Sequence, residues 1–201
     1  IRDRNYRINS FHLGEGSPKQ KFRANMDAIY TLKALENQHR DATPEEQETL
    51  ANYVGWGGLA DAFDAEKTAW TGEYKELKAA LTEEEYAAAR ASTLNAHYTS
   101  PTVIRAIYEA LDGMGFEKGN ILEPSMGVGN FFGMLPDSML GSRLYGVELD
   151  SITGRIAQKL YPQAEIKVAG FETTDRRDFY DLAVGNVPFG NYRVSDKPYD
   201  K

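Results

Sequence analysis

The 201 residues suffice for one large domain or two small ones, and at 41% hydrophobic content they can bury a core, whereas the apolar runs are far too short to span a bilayer. The absence of cysteine excludes disulfides and zinc–thiolate sites and suits a cytoplasmic protein. A net charge of −7 argues against autonomous binding to nucleic acid, which needs a basic surface. The charge is uneven, however: residues 1–23 hold six Lys or Arg against two Asp or Glu, a net +4 that leaves −11 on the remainder. If DNA is bound, this arm is the expected electrostatic contact; otherwise it is an ordinary solvated tail.

The first residues, Ile1-Arg2-Asp3-Arg4, are polar and include no initiator Met, and the last, Lys197-Pro198-Tyr199-Asp200-Lys201, supply no closing element. The expectation is a piece of a longer polypeptide. From Lys21 onward the pattern is helical. Phe22, Met26, Ile29, Leu32 and Leu35 recur at three- and four-residue steps and mark one apolar stripe. Thr43-Pro44-Glu45-Glu46 opens a second helix with a cap, a first-turn proline and a capping-box glutamate; it is expected to run through Leu50 and Tyr53 to Gly55-Trp56-Gly57-Gly58. Thr82-Glu83-Glu84-Glu85 repeats the signature and opens an Ala-rich helix to about Ala91.

After Tyr98 short apolar strands alternate with helices. Ser100-Pro101 caps a helix through Ile104, Ile107 and Leu111 that ends at Gly113. Strands are predicted at 120–122, 143–147, 165–168 and 181–184, with a clear helix at 151–161 ended by Pro162. Such alternation implies a parallel sheet with right-handed crossovers, and ligands of such sheets bind beyond the carboxyl ends of the strands.

The first strand runs into Glu123-Pro124-Ser125-Met126-Gly127-Val128-Gly129-Asn130-Phe131. Two glycines one residue apart allow a tight turn and close backbone approach to a ligand, although Gly-x-Gly alone also fits a plain turn. The second strand ends in Glu148, nineteen residues past Gly129, where a ribose-binding carboxylate belongs. Its ordinary alternative is to cap the following helix, a role for which Asp150 is better placed. The loop begins with an acid, suited to a cationic amino group, whereas a phosphate loop presents amides and positive charge. No Gly-Lys-Ser/Thr follows. The implied ligand is an adenosine with an amino-acid tail, S-adenosylmethionine in preference to NAD.

The fourth strand leads into Gly185-Asn186-Val187-Pro188-Phe189-Gly190. An exocyclic base amine is a poor nucleophile because its lone pair is delocalised into the ring. Two acceptors, the Asn186 amide oxygen and the Val187 carbonyl, can bind both amine hydrogens and aim the lone pair at a sulfonium methyl, with Pro188 fixing the turn. Phe189 offers a stacking face for an extruded base, worth roughly 1–3 kcal/mol. In isolation an Asn-x-Pro segment is more often a simple turn; its order after a glycine loop and an acid favours the chemical reading.

In that order these segments resemble the N6-adenine DNA methyltransferases of the type I modification-subunit kind. His97-Tyr98-Thr99-Ser100-Pro101 is similar to that family's aromatic-Thr-Pro segment, which implies that Tyr98 and Thr99 line the methionine end of the cofactor. The resemblance makes Glu123, Pro124, Ser125, Met126, Gly127, Gly129, Glu148 and Leu149 cofactor residues, places Phe171 and Glu172 near the adenine ring, and makes Asn186, Val187, Pro188 and Phe189 the catalytic turn. A narrower resemblance is carried by Asn5-Tyr6-Arg7-Ile8, by Gly14-Glu15-Gly16-Ser17-Pro18-Lys19-Gln20-Lys21-Phe22 and by Tyr53-Val54-Gly55-Trp56-Gly57-Gly58-Leu59. These look like the amino-terminal part of large phage and conjugative-element proteins in which a Swi/Snf-type helicase follows a methylase-like region.

The resemblance implies a Rossmann-like S-adenosylmethionine-dependent fold over 96–201, cut short at about four of its usual seven strands, behind a helical region with a basic arm over 1–95. DNA and a helicase region of the same polypeptide are the implied partners, with no membrane. Val187 stands where the family has the first proline of its pair. Two other readings stay open: a catalytically silent module gripping DNA for a helicase, and a methyltransferase acting on protein glutamine or RNA. His12, His39 and His97 have no ligand-spaced partners, so no metal is expected. Trp56 is expected to plug a helix–helix corner, with base stacking as the less common use, and Trp70 to lie in the core.

Overall fold

The computed structural model describes residues 3–9, 14–94 and 99–187. Helix α1 (Pro18–Asn37) begins at a Ser17 capping box and buries Phe22, Met26, Ile29, Leu32 and Leu35, the stripe expected from the spacing. Helix α2 (Pro44–Ala51) begins at the Thr43–Glu46 capping box. It ends two residues short of Tyr53, because the Tyr53 N–H donates to Leu50 O and the Val54 N–H leaves the helix for the Asn25 side chain. Helix α3 (Thr71–Ala80) has no side-chain cap and buries only Leu77, so nothing in the sequence announced it. Helices α4 (Glu83–Ser92) and α5 (Pro101–Gly113) start at their expected caps, Thr82 and Ser100.

Strands β1 (Asn120–Glu123), β2 (Arg143–Glu148), β3 (Glu165–Val168) and β4 (Leu182–Ala183) form one parallel sheet in the order β3-β2-β1-β4. Bonds from the Asp181 N–H to Asn120 O and from the Val184 N–H to Leu122 O carry the β4 pairing over the predicted 181–184. The four-residue α6 (Asn130–Gly133) follows the glycine loop, and α7 (Ser151–Leu160) links β2 to β3. The arrangement is a Rossmann-like α/β sheet. Strand order advances from β1 to β3 and then returns to the far side of β1, so the switch point lies between β1 and β4, where such sheets bind ligands. Among the described residues no helix is long and apolar enough to cross a membrane.

Alternate side chains of the strands face opposite ways. Ile121 and Leu144 join a core continuous with α1, α2 and α7, while Leu122, Tyr145 and Val147 meet Phe179 and Tyr180 on the other face. Helix α7 is wedged between the sheet and the helical layer, burying Ile152, Ile156 and Leu160 at roughly 1.5–3 kcal/mol each. Arg155 binds Glu36 of α1 through both carboxylate oxygens (2.6 and 2.5 Å) and Glu85 of α4 (2.9 Å), and this fork fixes the approach of the two layers.

The amino-terminal arm is part of this assembly over residues 3–9. Tyr6 N–H donates to Leu160 O and Ile8 N–H to Gly133 O, and the Tyr6 ring is buried. Its cations, and those that open α1, meet carboxylates: Arg4 with Asp41, Arg7 with Asp137, Lys19 with Glu73, and Arg23 with Asp27 and Glu76. The basic excess is therefore largely matched within the fold. Trp56 plugs the helical corner, edge-on to Phe22, Tyr53 and Phe63. Trp70 is only half-buried, with the Lys19 ammonium 4.0 Å from its ring centre.

Gly146 illustrates how tightly β2 backs the glycine loop, since a Cβ there would collide with Met126 Sδ. Gly146→Val is expected to lower stability by about 1–3 kcal/mol through overpacking. A drop in thermal midpoint without change in the unfolding m-value checks it, and an unchanged midpoint would refute the packing argument.

Candidate functional site

The carboxyl ends of β1, β2 and β4 open into a cavity of about 240 Å³. Each strand delivers one polar side chain to it: β1 ends in Glu123, β2 in Glu148, and the chain leaving β4 presents Asn186. The glycine loop forms the floor. Gly129 has φ +85°, and a Cβ there would stand 2.5 Å from the Tyr161 ring, so only glycine fits at this turn into α6. The Met126 N–H donates to Val147 O, which latches the loop to β2.

Glu148 accepts from the Gly127 N–H at 2.8 Å through one oxygen and from the Asp150 N–H at 2.9 Å through the other. It therefore ties the loop to the end of β2, and each oxygen keeps a lone pair for a ligand hydroxyl. The helix cap falls to Asp150, whose side chain accepts from the Thr153 N–H. Burial pushes the Glu148 carboxyl above its usual range, against the backbone donors that pull it down.

Glu123 is the most unusual group in the site. It is 3% exposed, and its Oε2 has no hydrogen-bond partner among the described residues. Burial, aided by the charge of Glu148, pushes its carboxyl well above the ordinary carboxylate range. A buried acid without a partner is costly unless it is neutral or meets a cation. Among the described residues no Lys, Arg or His lines the cavity. The field therefore suits a cationic ligand and opposes a polyphosphate.

Of the residues singled out in the sequence, Thr99, Glu123, Ser125, Met126, Gly127, Glu148 and Asn186 line this one cavity. Pro124 lies just behind, beside Gly185. Gly129 caps α6 beneath the loop. Leu149, Phe171, Glu172 and Val187 are exposed and off the cavity wall. Tyr98, Pro188 and Phe189 lie outside the described residues. Sequence reading did not anticipate the share of the wall that comes from the helical layer, namely Tyr53, Val54, Gly55, Trp56 and Ser92. The signal available in the sequence is the Gly55-Trp56-Gly57-Gly58 cluster, where glycines around an aromatic residue permit a turn whose backbone comes close to a cavity. No group of three or more His, Cys, Asp or Glu side chains among the described residues is arranged to hold a metal.

Over 192 residues, 92% of its length, the chain is 29% identical to the "Defense against restriction protein B" of Escherichia phage P1, of which it covers 7%. Over 92 residues, 46% of its length, it is 34% identical to the "Type II methyltransferase M.CvrRI" of Paramecium bursaria Chlorella virus XZ-6E, of which it covers 24%. The chain thus spans a minor part of either relative, and it is distantly similar to a methyltransferase and to a phage restriction-defence protein. No family model and no solved structure matches it.

Proposed function

We propose that this cavity binds S-adenosylmethionine and that the chain is the cofactor-binding part of a DNA adenine-N6 methyltransferase. The observation that carries the reading is the buried Glu123, whose Oε2 has no partner among the described residues, in a cavity at the sheet's switch point whose described wall holds no cation. A nucleoside with a cationic tail answers that field, and a dinucleotide or triphosphate does not. The distant similarity to a type II methyltransferase supports the same class of reaction.

In this reading Glu123 meets the ammonium of the tail, Glu148 receives the ribose hydroxyls, and the glycine loop lies under the junction. When bound, S-adenosylmethionine supplies a methyl group on a sulfonium sulfur that departs as a neutral thioether. Asn186 accepts one hydrogen of the target amine and the Val187 carbonyl the other, turning the nitrogen lone pair toward that methyl. Holding the amine in line supplies most of the acceleration, and the surplus proton leaves to solvent. With Arg4, Arg7, Lys19 and Arg23 matched by carboxylates, DNA affinity falls to other parts of a larger protein, for which a helicase region is the proposed neighbour.

Calorimetric titration with S-adenosylmethionine tests the reading. Micromolar to low-millimolar binding is expected, tighter than for S-adenosylhomocysteine, which lacks the sulfonium charge. No heat and no competition at millimolar ligand would leave a cofactor-free DNA-gripping module as the better account. Labelled-methyl transfer to adenine-containing DNA, with RNA and protein in parallel, then assigns the substrate; label on RNA or glutamine alone would overturn the DNA assignment.

A further inference from the structure

We infer that the turn at residues 53–56 is a ligand-contacting wall, and that Asn25 of α1 is the positioning residue that sets it. The inference rests on the reading of the cavity as an S-adenosylmethionine site. It assigns the helical layer a direct part in binding.

Four consecutive residues of this turn line the cavity opposite the glycine loop. Tyr53 is 4% exposed, and its hydroxyl sits beside Thr153 within the field of Asp150 and Glu148. This places the turn against the end of β2, where the ribose carboxylate stands. The wall therefore faces the nucleoside half of the ligand. Gly55 gives the turn its shape with φ +75°, in the left-handed region that disfavours side chains.

Asn25 holds that shape from behind. It is fully buried, and its amide is used at both ends: the Val54 N–H donates to Oδ1 at 2.9 Å, and Nδ2–H donates to Gly55 O at 2.6 Å. A leucine would fill the same space without the cost of desolvating an amide. What the amide adds is specification of one backbone conformation at residues 54–55, and that backbone faces the cavity. The Phe22, Tyr53 and Phe63 rings around Trp56 form a rigid base for the turn.

Hydrogen exchange on the unmodified protein, with and without saturating S-adenosylmethionine, separates this inference from the one beneath it. Slowed exchange is expected in two places, residues 123–130 and residues 52–58. Protection of the glycine loop alone would overturn the wall while sparing the cofactor reading; protection of neither would overturn both. Asn25→Ala is expected to weaken S-adenosylmethionine at least tenfold and to weaken 5′-methylthioadenosine, which lacks the amino-acid tail, by the same factor. A loss confined to the tailed ligand, or no loss in a folded variant, would refute the placement. Should the variant not fold, the exchange experiment decides.

Discussion

Glu123→Gln is expected to make the ligand-free protein more stable near neutral pH and, at the same time, a poorer binder of S-adenosylmethionine. The stability sign follows from the direction of the shift. In the folded chain the Glu123 carboxyl holds its proton to higher pH than in the unfolded chain, because burial and the charge of Glu148 both oppose ionisation. Its contribution is therefore complete below the unfolded pKa and is lost as pH rises through the folded one. Glutamine keeps the shape of the protonated acid at every pH, so the stability gap between variant and parent should open with rising pH. By pH 7–8 it should reach about 1–3 kcal/mol, the usual cost of a buried group without its partner.

The binding sign is opposite. A cationic ligand draws Glu123 into its charged form, so affinity should rise with pH across the same interval in the parent and stay flat in the variant, which should bind at least tenfold more weakly. Proton release on binding, read as a difference in heat between buffers of unlike ionisation enthalpy, should accompany the parent only. A variant that binds like the parent, or melts below it at pH 8, would remove Glu123 from the site. Few structural residues give both signs together, since a mere packing role predicts lost stability and lost binding in step.

The capped helices and the sheet were legible in the sequence because their signals are local. Capping boxes at Thr43 and Thr82, the stripe from Phe22 to Leu35, and the proline after Tyr161 each act within a turn or two of themselves. The strand-end residues were legible for a related reason: in a parallel sheet every strand ends on the same side, so Glu123, Glu148 and Asn186 reach one cavity once the alternation is recognised. What was not legible depends on contacts between distant segments. Asn25 takes the Val54 N–H away from α2 across 29 positions, and no local pattern announces it. The fork of Arg155 on Glu36 and Glu85 likewise joins residues 119 and 70 positions apart. Helix α3 lacks both cap and stripe, with only Leu77 fully buried, and is held by its neighbours alone.

Asn186→Ala should reduce methyl transfer on the order of 10²–10³-fold, the loss typical of removing one acceptor or donor that acts mainly in the transition state. Cofactor affinity should change less than threefold. Asn186 is exposed at the open side of the cavity, whereas Glu123 and the Gly127–Glu148 pair occupy its buried side. The fold should not suffer either, because β4 is fastened ahead of Asn186 by the Val184 N–H on Leu122 O. Asn186→Asp retains an acceptor oxygen at the same reach and should therefore recover part of the rate that alanine loses. The informative pattern is thus a fall in kcat with little movement in Kd or Tm, partly restored by aspartate. If alanine instead weakens cofactor binding as much as it slows transfer, then Asn186 belongs to the cofactor's side of the cavity, and the amine must be held by other groups.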